Sequence, residues 1–216
     1  ESESYLKKLI SSDFEKDYFF CGLIPSFYAI PCIQRKINPI VLKYVLKNIK
    51  DGNAIYIKYQ SMSGSGPKWR WITPHAIGFD GFRWHTRAFC HEHQSYNDFN
   101  LGRILNTGDV KRHAINHVND FEWFTDITFT IKPHPGLTDE QRTGIELDYG
   151  MTDGKLDFEV KAAFVFYMLK WLGLEEGHEE RVPIKQQVVL VNKEQIETQR
   201  QLLRKISVKK IEQNNV

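Results

Sequence analysis

The sequence predicts an α+β protein in which a small β-barrel or strongly bent sheet is followed by a layered region of alternating strands and helices. Between residues 54 and 105, several short apolar and aromatic segments alternate with turns that contain Gly, Pro or Asp. From Phe121 onward, segments with a period of two alternate with segments with a period of three to four. We therefore expect a helical linker region over residues 1–50, a barrel over 51–118 and an α+β region over 119–210.

A helix is predicted immediately before the barrel. Apolar residues recur every three to four positions after Pro39, while several lysines lie on the opposite side. Asn38 is suited to cap the N-terminus of this helix, and Asp51-Gly52 supplies a stop signal. Farther upstream, the spacing of residues 5–10 predicts a second, shorter helix.

The barrel strands are predicted from alternation and from the turns between them. Five segments fit this description: Ala54–Gln60, Trp69–Ile72, Ala76–Phe79, Gly81–Cys90 and Phe99–Leu105. A Gly- and Ser-rich turn over Ser61–Pro67 follows the first segment, and Asp80-Gly81 is a turn signal at the start of the fourth. Several short antiparallel strands in so little sequence favour a small barrel.

The stretch Gly81–Cys90 lies at the centre of the predicted barrel. Side chains alternate along a strand, so one face is expected to carry Phe82, Trp84, Thr86, Ala88 and Cys90, and the other Arg83, His85, Arg87 and Phe89. The first face is a core face. Two guanidinium groups and an imidazole on the second, half-exposed face suit an anionic or stacking ligand. A solvated strand face without a ligand fits the same spacing.

The region after Phe121 is predicted to follow a β-α-β-α-β order. The strands are placed at Ile127–Ile131, Leu156–Val160 and Val188–Val191, and the helices at Thr138–Tyr149 and Ala162–Leu172. The first helix opens with the capping-box pattern Thr138-Asp139-Glu140-Gln141, and Gly173 ends the second. A last amphipathic helix is expected after Asn192, which is suited to cap it.

The second helix of this region is unusually aromatic. It carries Phe164, Phe166, Tyr167 and Trp171, which lie around most of its circumference. One small domain cannot cover such a helix on all sides, so we expect the chain to form a homodimer through it.

Composition limits the class of protein. With 41% hydrophobic residues, 26% charged residues and a net charge of +2, the chain has the balance of a soluble globular protein. No apolar run is long enough to span a bilayer, and Glu1–Ser4 lacks the features of a secretory leader. We therefore expect a cytoplasmic location and no membrane partner. Cys21, Cys32 and Cys90 lack the spacing of a disulfide framework or structural zinc site.

The central stretch, together with Asp98–Ile104, resembles the WYL-domain transcriptional regulators. More narrowly, it resembles the group that represses bacterial anti-phage defence islands of the BREX and CBASS type. Trp84-His85-Thr86 stands where many WYL domains have Trp-Tyr-Leu, and that departure is typical of this group. The resemblance implies an SH3-like or Sm-like barrel preceded by helices, a ligand cleft in the barrel, and a C-terminal extension used for dimerisation.

The same resemblance points to the residues of the ligand cleft. Tyr59-Gln60-Ser61 is similar to the Tyr-x-Ser segment that lines the cleft, and Trp71–His75 is similar to the segment with a hallmark Pro. Asp98–Ile104 is similar to the strand whose Arg faces the cleft. The predicted ligand-binding set is Tyr59, Ser61, His75, Arg83, His85, Arg87, Phe99 and Arg103. By parity Arg103 shares a face with Phe99, and its structural alternative is an ion pair with Asp98 or Asp109.

Metal binding and catalysis are weakly supported by the sequence. Cys90-His91-Glu92-His93 would place two histidines on one strand face, but the spacing is short of a third ligand. The sequence has no nucleophile-elbow, Walker-type or zinc-protease motif. We therefore expect no cofactor, no metal site and no enzymatic activity.

The resemblance implies that this chain is the ligand-sensing and dimerisation portion of a WYL-type regulator that represses an anti-phage defence system. Together with the basic side chains of the predicted cleft, it implies that the chain binds a nucleic acid or nucleotide-like effector there. WYL regulators normally begin with a winged helix-turn-helix, and no such pattern precedes Tyr5. Operator DNA is therefore expected to be bound by a winged helix-turn-helix that is not present in this chain. Two alternatives stay open: a stand-alone single-strand nucleic-acid-binding module, and a metal-dependent nuclease that uses Asp98 with His91 or His93.

Overall fold

The computed structural model describes residues 35–112 and 115–214, together with Tyr28, Ile30 and Ile33. All of the features below belong to residues 35–216. The short helix predicted over residues 5–10 lies outside the described residues.

The helix predicted before the barrel is present as α1 (Pro39–Asp51). The side chain of Asn38 accepts a hydrogen bond from the backbone N–H of Ile40 at 2.9 Å, and Pro39 occupies the first turn. Gly52 adopts a left-handed conformation with φ of 65°, which only glycine reaches without strain, and ends the helix. Both terminal signals read from the sequence are confirmed.

The barrel contains the five strands β1 (Asn53–Tyr59), β2 (Lys68–Phe79), β3 (Trp84–Cys90), β4 (Ser95–Asn100) and β5 (Ile104–Arg112). They pair antiparallel in the order β4-β3-β2-β1-β5. The two edge strands are joined by one 3₁₀ turn, Leu101–Arg103, so the sheet curls until its edges meet at that end. Backbone N–H of Gln60 donates to the carbonyl of Arg103 at 3.1 Å across the same corner.

Two strand boundaries differ from the sequence prediction. The segments expected at Trp69–Ile72 and Ala76–Phe79 form one strand, β2, which pairs with β1 through its first half and with β3 through its second. A bulge at His75 absorbs the irregularity, and Pro74, which lacks an N–H donor, is tolerated beside it. The segment expected at Phe99–Leu105 is interrupted because the side chain of Asn100 caps the 3₁₀ turn.

The central strand is present, but the exposure predicted for both of its faces is partly wrong. Phe82 and Trp84, which were assigned to the core face, are 56% and 47% exposed. The strand begins at Trp84, after a turn in which the carboxylate of Asp80 accepts hydrogen bonds from the backbone N–H groups of Phe82 and Arg83. Residues 85–90 are buried on both faces, so the predicted half-exposed face is wrong. The C-terminal region covers that face, which a local reading of one strand could not reveal.

The α+β region follows the predicted order. Its elements are α2 (Phe121–Phe124), β6 (Asp126–Pro133), α3 (Asp139–Tyr149), β7 (Leu156–Lys161), α4 (Val165–Trp171), β8 (Val188–Leu190) and α5 (Lys193–Asn214). The three strands form a second sheet in the order β7-β6-β8. Two apolar clusters lie on it, one centred on Phe129 and one on Ile131.

The local signals of this region are confirmed with two corrections. The capping box of Thr138 and Gln141 is present in full at the start of α3. The apolar helix expected from Ala162 begins as a 3₁₀ turn and becomes α-helical only at Val165. Asn192 precedes α5, but its side chain binds the backbone of strand β6 at Thr128 and Thr130. In the part of the chain that the structure describes, no helix combines the length and apolarity required to cross a bilayer.

Candidate effector site

Arg87 of β3 is the centre of a buried ion-pair network. Its Nε and Nη2 atoms donate to the two carboxylate oxygens of Asp120 at 2.7 and 2.9 Å, which is a bidentate pair. Nη2 also donates to Glu122 at 3.2 Å, and Nη1 to Asp98 at 3.3 Å. Only 4% of the Arg87 side chain is exposed, so nearly all its donors are used inside the protein.

His75 joins the same network from the bulge in β2. Its Nε2 lies 2.9 Å from Oδ2 of Asp120, and its ring stacks on that of His117. The bulge rotates His75 away from the alternation of its strand, which is why its position could not be read from parity. Two residues of the predicted set, His75 and Arg87, are therefore held by one carboxylate.

Asp80 holds two further members of the predicted set. Its Oδ2 lies 3.1 Å from Nε of Arg83 and 2.8 Å from Nε2 of His85. The ring of Tyr167 from α4 packs on the His85 ring, and its hydroxyl donates to Asp98 at 3.3 Å. Asp98 thus connects the Asp80 group with the Arg87 network.

The remaining predicted residues lie elsewhere. Tyr59 and Phe99 are in edge-to-face contact inside the barrel core, and the Tyr59 hydroxyl accepts a hydrogen bond from the N–H of Asn100. Ser61 lies on the loop after β1 and bonds Ser63. Arg103 lies on the 3₁₀ turn, and among the described residues its guanidinium has no ion-pair partner. Whether any member of the set binds an effector stays a prediction.

Burial and pairing shift the pKa values of the network in opposite directions. Burial would raise the pKa of Asp120, but hydrogen bonds from Arg87 and His75 outweigh it and lower that pKa. For Asp98 burial dominates the attraction of Arg87, so its pKa is raised. Burial would lower the pKa of Arg87, but its three carboxylate partners raise it instead. The guanidinium therefore stays charged.

Three network residues were missed by sequence reasoning. Asp120 and Glu122 belong to the segment between the two sheets, and Arg204 of α5 donates to Glu122 at 2.8 Å. Asp120 also caps α2, because its side chain accepts a hydrogen bond from the N–H of Trp123. That Asp-x-x-Trp spacing was the one local signal available, and it indicates a cap rather than a partner for Arg87.

The hairpin between β3 and β4 brings a third potential metal ligand into reach. Donor atoms of Cys90, Glu92 and His93 lie within 4.8 Å of one another. His91, which the sequence grouped with His93, instead places its Nε2 2.9 Å from the hydroxyl of Thr73. Asp98, the predicted nuclease carboxylate, is paired with Arg87 and lies in the network described above.

Comparison with known proteins identifies both domains. Residues 41–107 match the WYL domain family, and residues 126–196 match the family described as BrxR transcriptional regulator, C-terminal dimerization domain. A DNA-binding transcriptional repressor CapW of Stenotrophomonas maltophilia is 37% identical over 88% of this chain and 64% of its own length. The CapW repressor of Escherichia coli strain KTE188 is 34% identical over 90% of this chain and 66% of its own.

The chain spans just under two thirds of the length of both repressors. A comparison with solved structures finds proteasome accessory factor B/C of Arthrobacter aurescens, which is 15% identical over 83% of this chain and 28% of its own chain. The TM-score of 0.34 is too low to support an argument about the fold. Both curated relatives of this chain are named as transcriptional repressors, in agreement with the sequence prediction that the chain is not an enzyme. With a WYL barrel followed by a BrxR-type dimerization domain, the chain belongs to the WYL-domain transcriptional regulators.

Proposed function

We propose that this chain is the effector-sensing and dimerising part of a transcriptional repressor that controls an anti-phage defence system. The observation that carries the proposal is the ion-pair connection between its two domains. Arg87 of the WYL barrel and Arg204 of the last helix bind the two oxygens of the same carboxylate, Glu122, at 3.2 and 2.8 Å. A change at the barrel therefore has a direct physical route to the dimerization domain.

The effector is proposed to be a nucleic acid or nucleotide-like anion. Arg87, His75 and His85 are bound to internal carboxylates, so an anion that engages them must displace Asp120 or Asp80. Such displacement would alter the link to Glu122. An effector changes the regulator only if it binds one arrangement of the network more tightly than the other, because equal affinity for both shifts nothing.

The homodimer is proposed to use an exposed aromatic surface shared by both domains. We call it the aromatic surface; it comprises Phe79, Phe82, Trp84 and Trp171, which are each about half exposed. The rings of Phe79 and Trp84 are 4.8 Å apart, and Gly81 at the hairpin tip lies against the indole of Trp171. A second copy that covers this surface would bury large apolar side chains from both domains at once.

Operator DNA is proposed to be bound outside the two matched domains. The relatives are named as DNA-binding repressors, while the two domains matched here are described as a WYL domain and a dimerization domain. In the proposed mechanism, two protomers joined through the aromatic surface set the spacing of two DNA-binding modules. Effector binding changes that spacing and releases the operator.

The proposal is tested by titrating the intact regulator with promoter DNA of the defence genes it accompanies. We expect tight, sequence-selective binding by the dimer, and release when short single-stranded oligonucleotides or nucleotides are added. Arg103→Ala is expected to bind the promoter normally, and resistance of this variant to release would place the effector at the predicted barrel cleft. A regulator that binds no promoter sequence selectively, or one that nucleic-acid effectors never release, would contradict the proposal.

A second candidate, a stand-alone single-strand nucleic-acid-binding module, is favoured by one feature of the barrel surface. The ring of Tyr56 stacks between those of Trp69 and Trp71 at 4.9 and 5.0 Å, and the ammonium of Lys111 lies 4.3 Å from the centre of the Trp71 ring. Stacked aromatics beside a cation are the usual platform for unpaired bases. Loss of oligonucleotide binding in Trp69→Ala, with no promoter binding by the intact protein, would favour this candidate.

A further inference from the structure

A polar chamber of about 450 Å³ lies between the WYL barrel and the dimerization domain. Strand β4 supplies Asn97 and Asp98 to its wall, and helix α5 supplies Arg200, Arg204 and Val208. Phe166 of α4 also lines it and remains half exposed. The chamber is of the size that small-molecule ligands occupy in proteins, and it is separate from the barrel corner that holds Arg103.

Arg200 is the least satisfied cation of this chamber. Its Nε atom is buried and has no hydrogen-bond partner within the described part of the chain. Its closest carboxylate oxygen, on Glu122, is 3.7 Å from Nη2, beyond hydrogen-bond distance. That oxygen already accepts a hydrogen bond from Arg204 at 2.8 Å. A buried guanidinium donor left unpaired is costly, which makes it a strong attractor for an acceptor atom.

The other carboxylates of the chamber are bound by other residues and do not pair with Arg200. Asp120 is bound by Arg87 and His75, and Asp98 is bound by Arg87 and Tyr167. Burial and the nearby charge of Arg204 lower the pKa of Arg200, and the charges of Glu122 and Asp98 only partly offset them. Arg204 has a side chain that is 59% exposed, so it can turn toward a ligand when its bond to Glu122 is broken. Two guanidinium groups one helical turn apart can then share one anion.

Another part of the lining is suited to an aromatic ring. Phe166 presents a half-exposed ring, and Val208 and Ile211 of α5 contribute further apolar side chains to the chamber. A ligand that has an anion with several acceptor oxygens at one end and a flat ring at the other matches the two guanidinium groups and the apolar part of the lining. Among common cellular metabolites, a nucleotide has this chemistry, with phosphate recognised by Arg and the base by stacking.

We propose that this interdomain chamber binds a nucleoside monophosphate, with its phosphate on Arg200 and Arg204 and its base against Phe166. This inference rests on the proposed function and names a ligand class and a site for its effector. The site differs from the barrel cleft predicted from the sequence, because the phosphate contacts come from the last helix. A ligand held there would bridge β4 and α5 and compete with Glu122 for Arg204.

The test is isothermal titration of the full chain with each of the four ribonucleoside 5′-monophosphates and with the matching nucleosides. We expect at least one monophosphate to bind with a Kd below about 1 mM, and its nucleoside to bind at least about ten times more weakly. Arg200→Ala should weaken that monophosphate by about ten- to a hundredfold. Lys209→Ala is the matched control, an exposed cation on the same helix, and should change the Kd by less than about twofold.

Val208→Trp keeps the test decisive if Arg200→Ala lowers the stability of the fold. Val208 lines the chamber and is partly exposed, so an indole there fills the space without removing a charge, and it should abolish monophosphate binding. The proposed nucleotide site would be overturned if no monophosphate bound, or if wild type and both variants bound it equally well. Loss of binding in Arg103→Ala but not in Arg200→Ala would move the effector to the barrel corner. Promoter binding by the intact regulator is measured separately, so the proposed function survives or fails on its own.

Discussion

His75 and Arg87 bind the same carboxylate oxygen: Oδ2 of Asp120 lies 2.9 Å from Nε2 of His75 and 2.7 Å from Nε of Arg87. These two residues come from adjacent strands of the WYL barrel, while Asp120 comes from the segment that leads into the dimerization domain. A buried network of charged groups stabilises a fold only when every group is present, because removal of one group leaves another charge buried without its partner. The junction between the two domains is therefore electrostatic at its centre.

Arg87→Ala is expected to destabilise the fold rather than only to weaken ligand binding. It would leave Asp120 and Asp98 buried without their main counter-charge, a loss of about 3 to 5 kcal/mol in the free energy of unfolding. Urea denaturation at neutral pH measures the change. Arg112→Ala removes an exposed arginine from the same sheet and should cost less than about 0.5 kcal/mol. Equal stability of the two variants would show that the network contributes little.

Acid is expected to weaken the same junction. Because the pKa of Asp120 is lower in the folded than in the unfolded chain, its ionised form stabilises the fold at pH values above the ordinary carboxyl pKa of about 4. That stabilisation is lost as the pH falls through the pKa of the folded state. Asp80 acts in the same direction: burial opposes the shift, but hydrogen bonds from His85 and from the backbone lower its pKa. The raised pKa of Asp98 acts oppositely, favouring the folded state as pH falls.

Asp120→Asn separates these contributions. The variant should be less stable than wild type at pH 7, and the difference in melting temperature should narrow between pH 5 and pH 3, as wild type loses the Asp120 contribution. Asp139→Asn changes an exposed carboxylate and should leave the pH profile unaltered. A constant difference between wild type and Asp120→Asn across this range would contradict the assignment of the acid-sensitive group.

Much of the fold was predictable because its local signals agree with the tertiary structure. The Asn38 cap, the Gly52 stop and the capping box at Thr138 each act within one helical turn, so the sequence predicts them directly. The order of strands and helices after Phe121 was also predictable, since period-two and period-four segments alternate there.

The arrangement of the candidate site was less predictable because it depends on contacts between distant segments. Alternation placed Arg83, His85 and Arg87 on one face of the predicted strand, but it could not show that acids from other segments would cover that face. Asp120 and Arg204 are separated from Arg87 by many residues and contribute no local pattern. The bulge at His75 likewise depends on pairing between β2 and β3.

Arg103 offers the sharpest test of the barrel cleft predicted from the sequence. Among the described residues it lacks an ion-pair partner, so Arg103→Ala should change the free energy of unfolding by less than about 0.5 kcal/mol. If the cleft is the binding site, the variant should bind short single-stranded oligonucleotides about ten- to a hundredfold more weakly, with a smaller dependence on salt. Titration at several salt concentrations measures both. Unchanged affinity and salt dependence would remove Arg103 from the site.

Two of the aromatic residues predicted to form the dimer interface are instead packed within the chain. Of the four aromatics assigned to the dimer surface, Phe164 packs on Gly78 and Trp123, and Tyr167 contacts His85 and Asp98 within the chain. Their substitution would disturb the fold. Phe166 and Trp171 are the exposed pair, at 53% and 63%.

Trp171→Asp is therefore the variant expected to separate the protomers. A charge placed on the aromatic surface leaves the monomer's core intact, but it must be desolvated when a second copy covers that surface. Light scattering coupled to size exclusion should give a dimer for wild type at about 10 µM and a monomer for the variant, a loss of association of at least about a hundredfold. Leu147→Asp alters an apolar residue on α3 that is 79% exposed and is not part of the aromatic surface, and it should remain dimeric. A wild-type monomer at that concentration would refute the dimer, and a dimeric Trp171→Asp with a monomeric Leu147→Asp would move the interface from α4 to α3.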